Sequence, residues 1–328
     1  MTVLVTGGAG YIGSHMVLAL VDAGEKVVVI DRLSAGVRSA FVASAENHVA
    51  DIADIGLLEQ IITTRNIRSI LHFAGSTDVG ESVRNPGEYY RNNTVNSLSL
   101  MELAARLGVE SFVFSSTAAV YGTTGREVVD ETVPTAPESP YGRSKLMAET
   151  MLADIAAASG LKYGVLRYFN VAGADPALRA GHHHAGAPNL LKLACQAAIG
   201  NRSHIDVFGT DYPTRDGTCI RDYVHVSDLI DAHMLCLERL RSGGASGTYN
   251  CGYGKGYSVL EVLHAAQRVG GRPFDIRYTA RRDGGPVAVV ADASLARREL
   301  GWAPKYDDLD TIIGHQLAWE RKAFPSRL

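Results

Sequence analysis

Tyr141 and Lys145 are the residues whose types and spacing most directly suggest chemistry in this 328-residue chain. They stand four positions apart in the segment 140–145 (PYGRSK), so on a helix they share one face. A free tyrosine, with a pKa of about 10, is a poor base at neutral pH, but a neighbouring ammonium group favours the phenolate. The pair predicts proton transfer at an oxygen atom, although Tyr-x-x-x-Lys also occurs by chance in helices.

A hydroxyl cluster, Ser115-Ser116-Thr117, follows the apolar run at residues 112–114. Hydroxyls at the carboxyl end of a parallel strand point into the cleft where such sheets bind ligands. Thr117 could hydrogen-bond a reacting oxygen and relay its proton to Tyr141. The alternative interpretation is a cluster that caps a helix.

Three glycines, Gly7, Gly10 and Gly13, form G-x-x-G-x-x-G between a predicted strand and a predicted helix. Such a turn lets a dinucleotide pyrophosphate approach the backbone at the positive end of the helix. Asp31 ends the second predicted strand, where its carboxylate would bind the adenosine ribose and repel a 2′-phosphate. The sequence therefore predicts NAD rather than NADP, with the adjacent Arg32 as a contrary feature. The positive nicotinamide ring would further favour a phenolate at Tyr141.

Short apolar strands alternate with helical patterns through the first half of the chain. Strands are predicted at residues 3–6, 27–30, 69–73, 111–115 and 163–168, and helices at residues 11–22, 57–64, 93–107 and 142–158. This alternation predicts an α/β fold with a Rossmann-type doubly wound parallel sheet. After about residue 173 the pattern becomes irregular. We therefore expect an NAD-binding domain at 1–174, with elements returning from about 226–251, and a smaller mixed α/β substrate-binding domain at 175–328.

Composition and charge exclude several other classes. The 32 Lys and Arg residues nearly balance the 35 Asp and Glu residues, so nucleic acid and anionic membranes are not expected partners. No apolar run reaches the roughly 18 residues of a membrane helix, and the N-terminus lacks the basic start of a signal peptide. Four widely spaced cysteines indicate reduced thiols in a cytoplasmic protein. His182, His183 and His184 are interpreted as a solvated or substrate-lid loop rather than a metal site.

The chain resembles the extended short-chain dehydrogenase/reductases and, within them, the UDP-galactose 4-epimerase family, over nearly its whole length. Segments that carry the resemblance are residues 6–15 (TGGAGYIGSH), 51–52 (DI), 73–75 (FAG), 79–83 (VGESV), 89–93 (YYRNN), 115–122 (SSTAAVYG), 141–145 (YGRSK), 167–172 (RYFNVA), 208–214 (FGTDYPT), 221–226 (RDYVHV), 281–282 (RR) and 291–294 (ADAS).

The resemblance implies reversible C4 epimerisation of UDP-glucose and UDP-galactose, by transient hydride transfer to tightly bound NAD through a 4-keto intermediate. It implies catalysis by Tyr141, Lys145 and Thr117, and a homodimer formed through the helices at 93–107 and 142–158. The residues implied to hold NAD are Gly7, Gly10, Tyr11, Ile12, Gly13, Asp31, Arg32, Asp51, Ile52, Phe73, Ala74, Gly75, Asn92, Tyr141, Lys145 and Phe169. Those implied to hold the UDP-sugar are Thr117, Tyr141, Asn170, Asn189, Leu190, Phe208, Arg221, Tyr223 and Arg282.

The physical chemistry of these side chains agrees with a UDP-sugar. Arg221 and Arg282 could bind a diphosphate with paired N–H groups. Tyr223 or Phe208 could stack on uracil.

Three positions depart from the family pattern. Many relatives have lysine where Thr77 stands, and aspartate where Gly285 stands. Some relatives carry a bulky tyrosine where Val289 stands, so the smaller side chain suggests tolerance of UDP-GlcNAc and UDP-GalNAc.

Several other functions remain as alternatives. A dehydratase needs an acid and a base beside C5 and C6, and relatives of that kind have acidic residues immediately after the threonine, where this chain has Ala118 and Ala119. A pentose 4-epimerase, a decarboxylase and a non-catalytic NAD-sensing module stay open.

Overall fold

A computed structural model of the chain describes residues 1–184, 189–281 and 286–325. Its strands are β1 (Thr2–Thr6), β2 (Lys26–Asp31), β3 (Glu46–Val49), β4 (Ile67–His72), β5 (Ser111–Thr117), β6 (Val128–Val129), β7 (Lys162–Tyr168), β8 (Asn170–Ala172), β9 (His204–Phe208), β10 (Ile220–His225), β11 (Gly247–Cys251), β12 (Gly256–Ser258), β13 (Asp275–Thr279) and β14 (Ala288–Ala291).

The helices follow the same alternation. They are α1 (Tyr11–Asp22), α2 (Ile55–Thr64), α3 (Val79–Arg84), α4 (Pro86–Tyr89), α5 (Asn96–Arg106), α6 (Pro140–Ser159), α7 (Leu190–Ala198), α8 (Val226–Arg241), α9 (Val259–Gly270), α10 (Ser294–Leu300) and α11 (Leu309–Ala323). A π-helical turn (Tyr90–Val95) precedes α5, and 3₁₀ turns form at Arg38–Ala40 and Ala118–Val120.

Seven parallel strands form the central sheet, in the order β11-β7-β5-β4-β1-β2-β3. The order reverses between β1 and β4, and a crevice opens at such a reversal beyond the carboxyl ends of the strands. The predicted Rossmann-type sheet is confirmed. The edge strand β3 was not predicted.

Alternate residues of the strands build a core on each face of this sheet. Val3 and Val5 of β1 pack in one hydrophobic cluster with Met16 of α1 and Leu229 of α8. Leu4, between them, packs in the opposite cluster with Leu58 of α2, Leu100 of α5 and Leu152 of α6. Both faces are therefore covered by helices, as an all-parallel sheet requires.

A second, mixed sheet lies beside the carboxyl edge of the first. Strand β10 pairs in parallel with β8 and β14 and antiparallel with β12, while β14 pairs with β6. Strands β9 and β13 form a separate two-stranded sheet. These elements give the smaller mixed α/β part of the fold.

Candidate active site

The glycine turn between β1 and α1 is formed by close backbone contacts. Gly7 has a φ of +73°, and a Cβ atom there would lie 2.6 Å from the backbone nitrogen of Ala74. A Cβ at Gly13 would lie 2.1 Å from the carbonyl oxygen of Gly7. Glycine is therefore required at both positions for the turn to close against β4 and α1.

The N-terminus of α1 is open toward this turn. The helix begins after Gly10, and among the described residues no side chain caps its first turn. Its free N–H groups and positive dipole end suit a diphosphate. A cleft runs from this turn along the sheet edge, and the predicted cofactor residues that line it are Gly7, Gly10, Asp31, Arg32, Asp51, Ile52, Phe73, Ala74, Gly75 and Asn92. Tyr11, Ile12 and Gly13 form the first turn of the helix itself.

Asp31 lies at the nucleoside end of the cleft with its carboxylate fixed. Its oxygens accept the backbone N–H groups of Ala9, at 2.9 Å, and Leu33, at 2.7 Å. Arg32 Nη1 lies 3.2 Å from Asp51 Oδ2, and its Nη2 lies 4.0 Å from Glu88 Oε1. Acidic groups thus offset the charge of Arg32, which would otherwise attract a 2′-phosphate, so the residues present fit NAD.

Helix α6 presents Tyr141 and Lys145 to the cleft from its first two turns. Ser139 caps the helix by accepting the Gly142 N–H at 3.1 Å, and Pro140 occupies the first helical position. Tyr141 and Lys145 are 8% and 3% exposed. The Lys145 Nζ lies 3.7 Å from the position that a Cβ would take at Gly75, so α6 adjoins the cleft that Gly75 lines.

The Thr117 hydroxyl, at the end of β5, faces Tyr141. The same Oγ1 accepts the Ala119 N–H at 3.1 Å and so caps the short turn Ala118–Val120. Burial raises the pKa of Tyr141, and the hydrogen bond from Thr117 lowers it in part. Burial has the larger effect, so the described residues raise the pKa of Tyr141 rather than giving the low value that the sequence predicted.

Lys145 lies over the ring of Phe114, 4.6 Å from its centroid. Burial lowers the pKa of Lys145 to about 8, and the negative charge of Glu149 acts in the opposite direction. The lysine thus keeps a large fraction of its charge at neutral pH.

The predicted substrate residues meet on one face of the second sheet. The in-register pairs Tyr223–Asn170 and Arg221–Val289 place these four side chains on the same side. Arg221 Nη1 donates to the carbonyl oxygens of Ile220, at 2.8 Å, and Val287, at 3.4 Å. Within the described part of the chain, its other N–H groups have no hydrogen-bond partner. Tyr223 is only 2% exposed, so its ring face is packed in the core rather than presented for stacking.

Other predicted substrate residues surround this face less closely. Asn189 caps α7 by accepting the Lys192 N–H at 3.1 Å, and its amide donates to Val171 O of β8 at 3.0 Å. Leu190 begins the same helix, whereas Phe208 ends β9 in the separate two-stranded sheet. Phe169, which the resemblance implies to contact NAD, is buried in the same hydrophobic cluster as Val289. Arg282 and Gly285 lie outside the described residues.

The three consecutive histidines have different surroundings. His182 stacks on Tyr11, with ring centroids 4.6 Å apart, and His183 meets the ring of Trp319 edge-on at 4.9 Å. His184 is exposed, whereas His182 and His183 are partly buried. Among the described residues, no three His, Cys, Asp or Glu side chains are grouped to hold a metal ion.

Comparison with known proteins identifies the family. The model of the NAD dependent epimerase/dehydratase family matches residues 3–252. The chain belongs to this family. A UDP-glucose 4-epimerase from Azospirillum brasilense is 53% identical over 319 residues, which are 97% of this chain and 92% of that protein.

Two solved structures of this epimerase/dehydratase family show the same fold. The UDP-glucose 4-epimerase from Brucella ovis in complex with NAD has a TM-score of 0.93 and 42% identity, covering 97% of each chain. The UDP-Glc/GlcNAc 4-epimerase from Campylobacter jejuni has a TM-score of 0.85 and 42% identity, covering 98% of this chain and 99% of that one.

Asn93 and Glu149, which lie near Tyr141 and Lys145, were not singled out from the sequence. The π-helical turn places both Asn92 and Asn93 inward, and Asn93 Nδ2 donates to Ser144 Oγ at 3.0 Å. Ser115 bonds the Tyr168 hydroxyl and Ser116 donates to Glu149, so neither serine caps a helix. Glu149 stands four residues after Lys145, as Lys145 stands four residues after Tyr141. This spacing could have indicated from the sequence that Glu149 lies on the same face of the helix.

Within the part of the chain that the structure describes, no helix combines the length and apolar composition needed to cross a membrane.

Proposed function

We propose that the chain interconverts UDP-glucose and UDP-galactose by reversible epimerisation at C4, with tightly bound NAD and a 4-keto sugar intermediate. The observation that carries this proposal is the buried Tyr141 phenol one helical turn from Lys145, whose Nζ lies beside Gly75 of the cofactor cleft. The 53% identity to a UDP-glucose 4-epimerase over nearly the whole chain supports the same reaction.

Each catalytic side chain has a distinct part in this reaction. NAD, when bound, supplies the hydride acceptor and donor and a positive charge near Tyr141. Tyr141 takes the proton of the sugar 4-hydroxyl, directly or through Thr117, and returns it on the opposite face. Lys145 contributes its positive charge, which favours the phenolate. Burial of Tyr141 and Lys145 keeps water from competing for the proton.

The nucleotide part of the substrate is assigned to the second sheet and its neighbours. Arg221 and Arg282 are proposed to bind the diphosphate, while Asn170, Asn189, Leu190, Phe208 and Tyr223 surround the rest of the UDP-sugar. Phe208 is the better candidate for stacking on uracil, because Tyr223 is buried. Firm binding of UDP with a loosely held hexose would let the 4-keto sugar turn its other face to the reacting groups.

Dehydration is disfavoured by the residues that follow Thr117. Ala118 and Ala119 form the short turn after β5, where an acid and a base would otherwise act on C5 and C6. We also propose that the chain accepts N-acetylated UDP-hexoses, because Val289 is a small side chain beside Arg221. The relative from Campylobacter jejuni is named for both glucose and GlcNAc substrates.

We propose that the protein forms a homodimer through α5 and α6, and that it is located in the cytoplasm. Exposed apolar side chains are grouped near these helices: Val83 of α3 is 64% exposed, Val95 is 53% exposed and Met147 of α6 is 45% exposed. We retain the division into an NAD-binding unit at 1–174 and a UDP-sugar-binding unit at 175–328, with residues 226–251 returning to the first. In its support, α8 packs on α1 and β11 pairs with β7.

The test is incubation of the purified protein with UDP-galactose, first without and then with added NAD. We expect UDP-glucose to form, and we expect Tyr141→Phe to reduce kcat by roughly 10²- to 10⁴-fold, because it removes the proton acceptor. Unfolding temperature and NAD content, measured in parallel, would show whether that variant is intact. Full activity of Tyr141→Phe, or no conversion with NAD present, would overturn the proposal.

A further inference from the structure

A buried ion pair lies directly behind the catalytic helix. Glu149 and Arg167 are 7% and 8% exposed. Arg167 Nε lies 3.1 Å from both carboxylate oxygens, and its Nη2 donates to Oε2 at 2.6 Å. Such a pair contributes little net stability, because desolvation offsets the attraction between the charges. Its position suggests a role other than stabilising the fold.

Glu149 links the two elements that carry the catalytic side chains. It stands one turn beyond Lys145 and two turns beyond Tyr141 on α6, so the three share a face. Its Oε1 accepts the hydroxyl of Ser116, the residue before Thr117. One carboxylate therefore connects the catalytic helix to the end of β5.

Arg167 extends this connection toward the second sheet. Its Nη1 donates to the Tyr121 hydroxyl at 3.1 Å, and that hydroxyl donates to Asn250 Oδ1 at 2.8 Å. Asn250 Nδ2 in turn donates to the carbonyl of Val129, in β6, at 3.0 Å. The chain of bonds thus runs from the proton-transfer residues to the sheet assigned to the sugar nucleotide.

Glu149 also acts on Lys145 through its negative charge. Tyr141 and Glu149 face Lys145 from its own helix, His72 from β4 and the Phe114 ring from β5. Burial and the charge of Lys145 lower the pKa of His72 to about 3, so His72 is neutral. Glu149 opposes the effect of burial on Lys145.

We infer that Glu149 and Arg167 are positioning residues for the proposed epimerisation, holding the end of β5, with Thr117, in place beside the face of α6 that carries Tyr141 and Lys145. This inference rests on the proposed function. It predicts that loss of the Glu149 charge changes the reaction step rather than substrate binding, and that it does so in a pH-dependent way.

The test compares kcat and KM for UDP-galactose between about pH 6 and 9.5 in wild type, Glu149→Gln and the double variant Glu149→Gln/Arg167→Met. We expect kcat near pH 8 to fall roughly ten- to a hundredfold in both variants, with KM changed less than about threefold. The alkaline limb of the kcat profile should move down by about one pH unit, because Lys145 loses its proton more readily. The double variant leaves no unpaired buried cation, so its unfolding temperature should exceed that of Glu149→Gln.

Glu320→Gln is the matched control. Glu320 is also fully buried and ion-paired, with Lys192 Nζ at 2.7 Å, but it lies on α11 away from Thr117, Tyr141 and Lys145. This variant should lower the unfolding temperature without moving the alkaline limb. Wild-type profiles in both Glu149 variants, or an equal shift in Glu320→Gln, would overturn the inference. An inactive wild type would instead reject the proposed function itself.

Discussion

The reactive tyrosine and lysine are each pushed toward the neutral form by their burial. Burial raises the pKa of Tyr141 and lowers that of Lys145 to about 8. The hydrogen bond from Thr117 and the charge of Glu149 oppose these effects. Because neither opposing group removes the effect of burial, positive charge from bound NAD would be a further influence in favour of the phenolate. The chemistry of this site is thus coupled to cofactor binding at the level of single side chains.

Substitution of Val289 tests the specificity for N-acetylated UDP-hexoses. We expect wild type to convert UDP-GalNAc to UDP-GlcNAc as well as UDP-galactose to UDP-glucose. Val289→Tyr should reduce the N-acetyl reaction by roughly tenfold or more, because the ring fills space that the acetamido group needs. Turnover of both sugar pairs gives the measurement.

Val289→Ile is the control, since it adds one methylene group in the same hydrophobic cluster and should keep both activities. Absence of N-acetyl turnover in wild type would reject this specificity hypothesis.

At the scale of elements, the strongly patterned segments were predictable from sequence. Helix α1 has the predicted bounds, Tyr11–Asp22, and α6 extends the predicted 142–158 by a few residues. Strand β3 was missed because its sequence, ENHV, lacks an apolar run and lies at the sheet edge. The π-helical turn was missed because nothing in the local sequence distinguishes it from the helix that follows.

Some residues of the candidate site were likewise predictable from the sequence, and others were not. Fixed spacing in sequence made Tyr141, Lys145 and the glycine turn predictable. The partnership of Glu149 with Arg167 was not, because it joins α6 to β7 through contacts that only the folded sheet creates. The same holds for the side-chain contact between Asn93 and Ser144.

The exposed side chains near α5 and α6 give a prediction about assembly. We expect Met147→Glu to convert a dimer to a monomer, because it would bury a carboxylate in an apolar interface. Light scattering after gel filtration measures the mass. Val128→Glu provides the control, since Val128 is 53% exposed on β6, outside these helices, and should leave the mass unchanged. A wild-type monomer, or a dimer that persists in Met147→Glu, would contradict this interface.

For the whole molecule, buried histidines predict a loss of stability in mild acid. His15, His72, His225 and His233 are at most 4% exposed. Burial lowers the pKa of His15 and His233 to about 4, and that of His72 and His225 to about 3. Between these values and the unfolded pKa of about 6.5, only the unfolded chain binds the protons. Stability therefore rises with pH in this window and falls as pH drops through 6.5.

The expected size is about 1.4 kcal/mol for each histidine, or roughly 5 kcal/mol in sum, between about pH 7.5 and 5.5. Urea unfolding at the two pH values measures the difference. His233→Gln should make it smaller by about one histidine's share, since one titrating ring is removed. An unfolding free energy that is the same at both pH values would show that these rings are not held neutral.

The position of β11 in the central sheet also has a consequence for biosynthesis. Residues 247–251 complete the sheet by pairing with β7, and α8 covers α1 shortly before them in the chain. A nascent polypeptide that has emerged only to residue 174 therefore presents an open strand edge and an uncovered apolar helix face. We therefore expect the central sheet to be completed only after some three quarters of the protein has been translated, and chaperones that shield such surfaces would act during that interval.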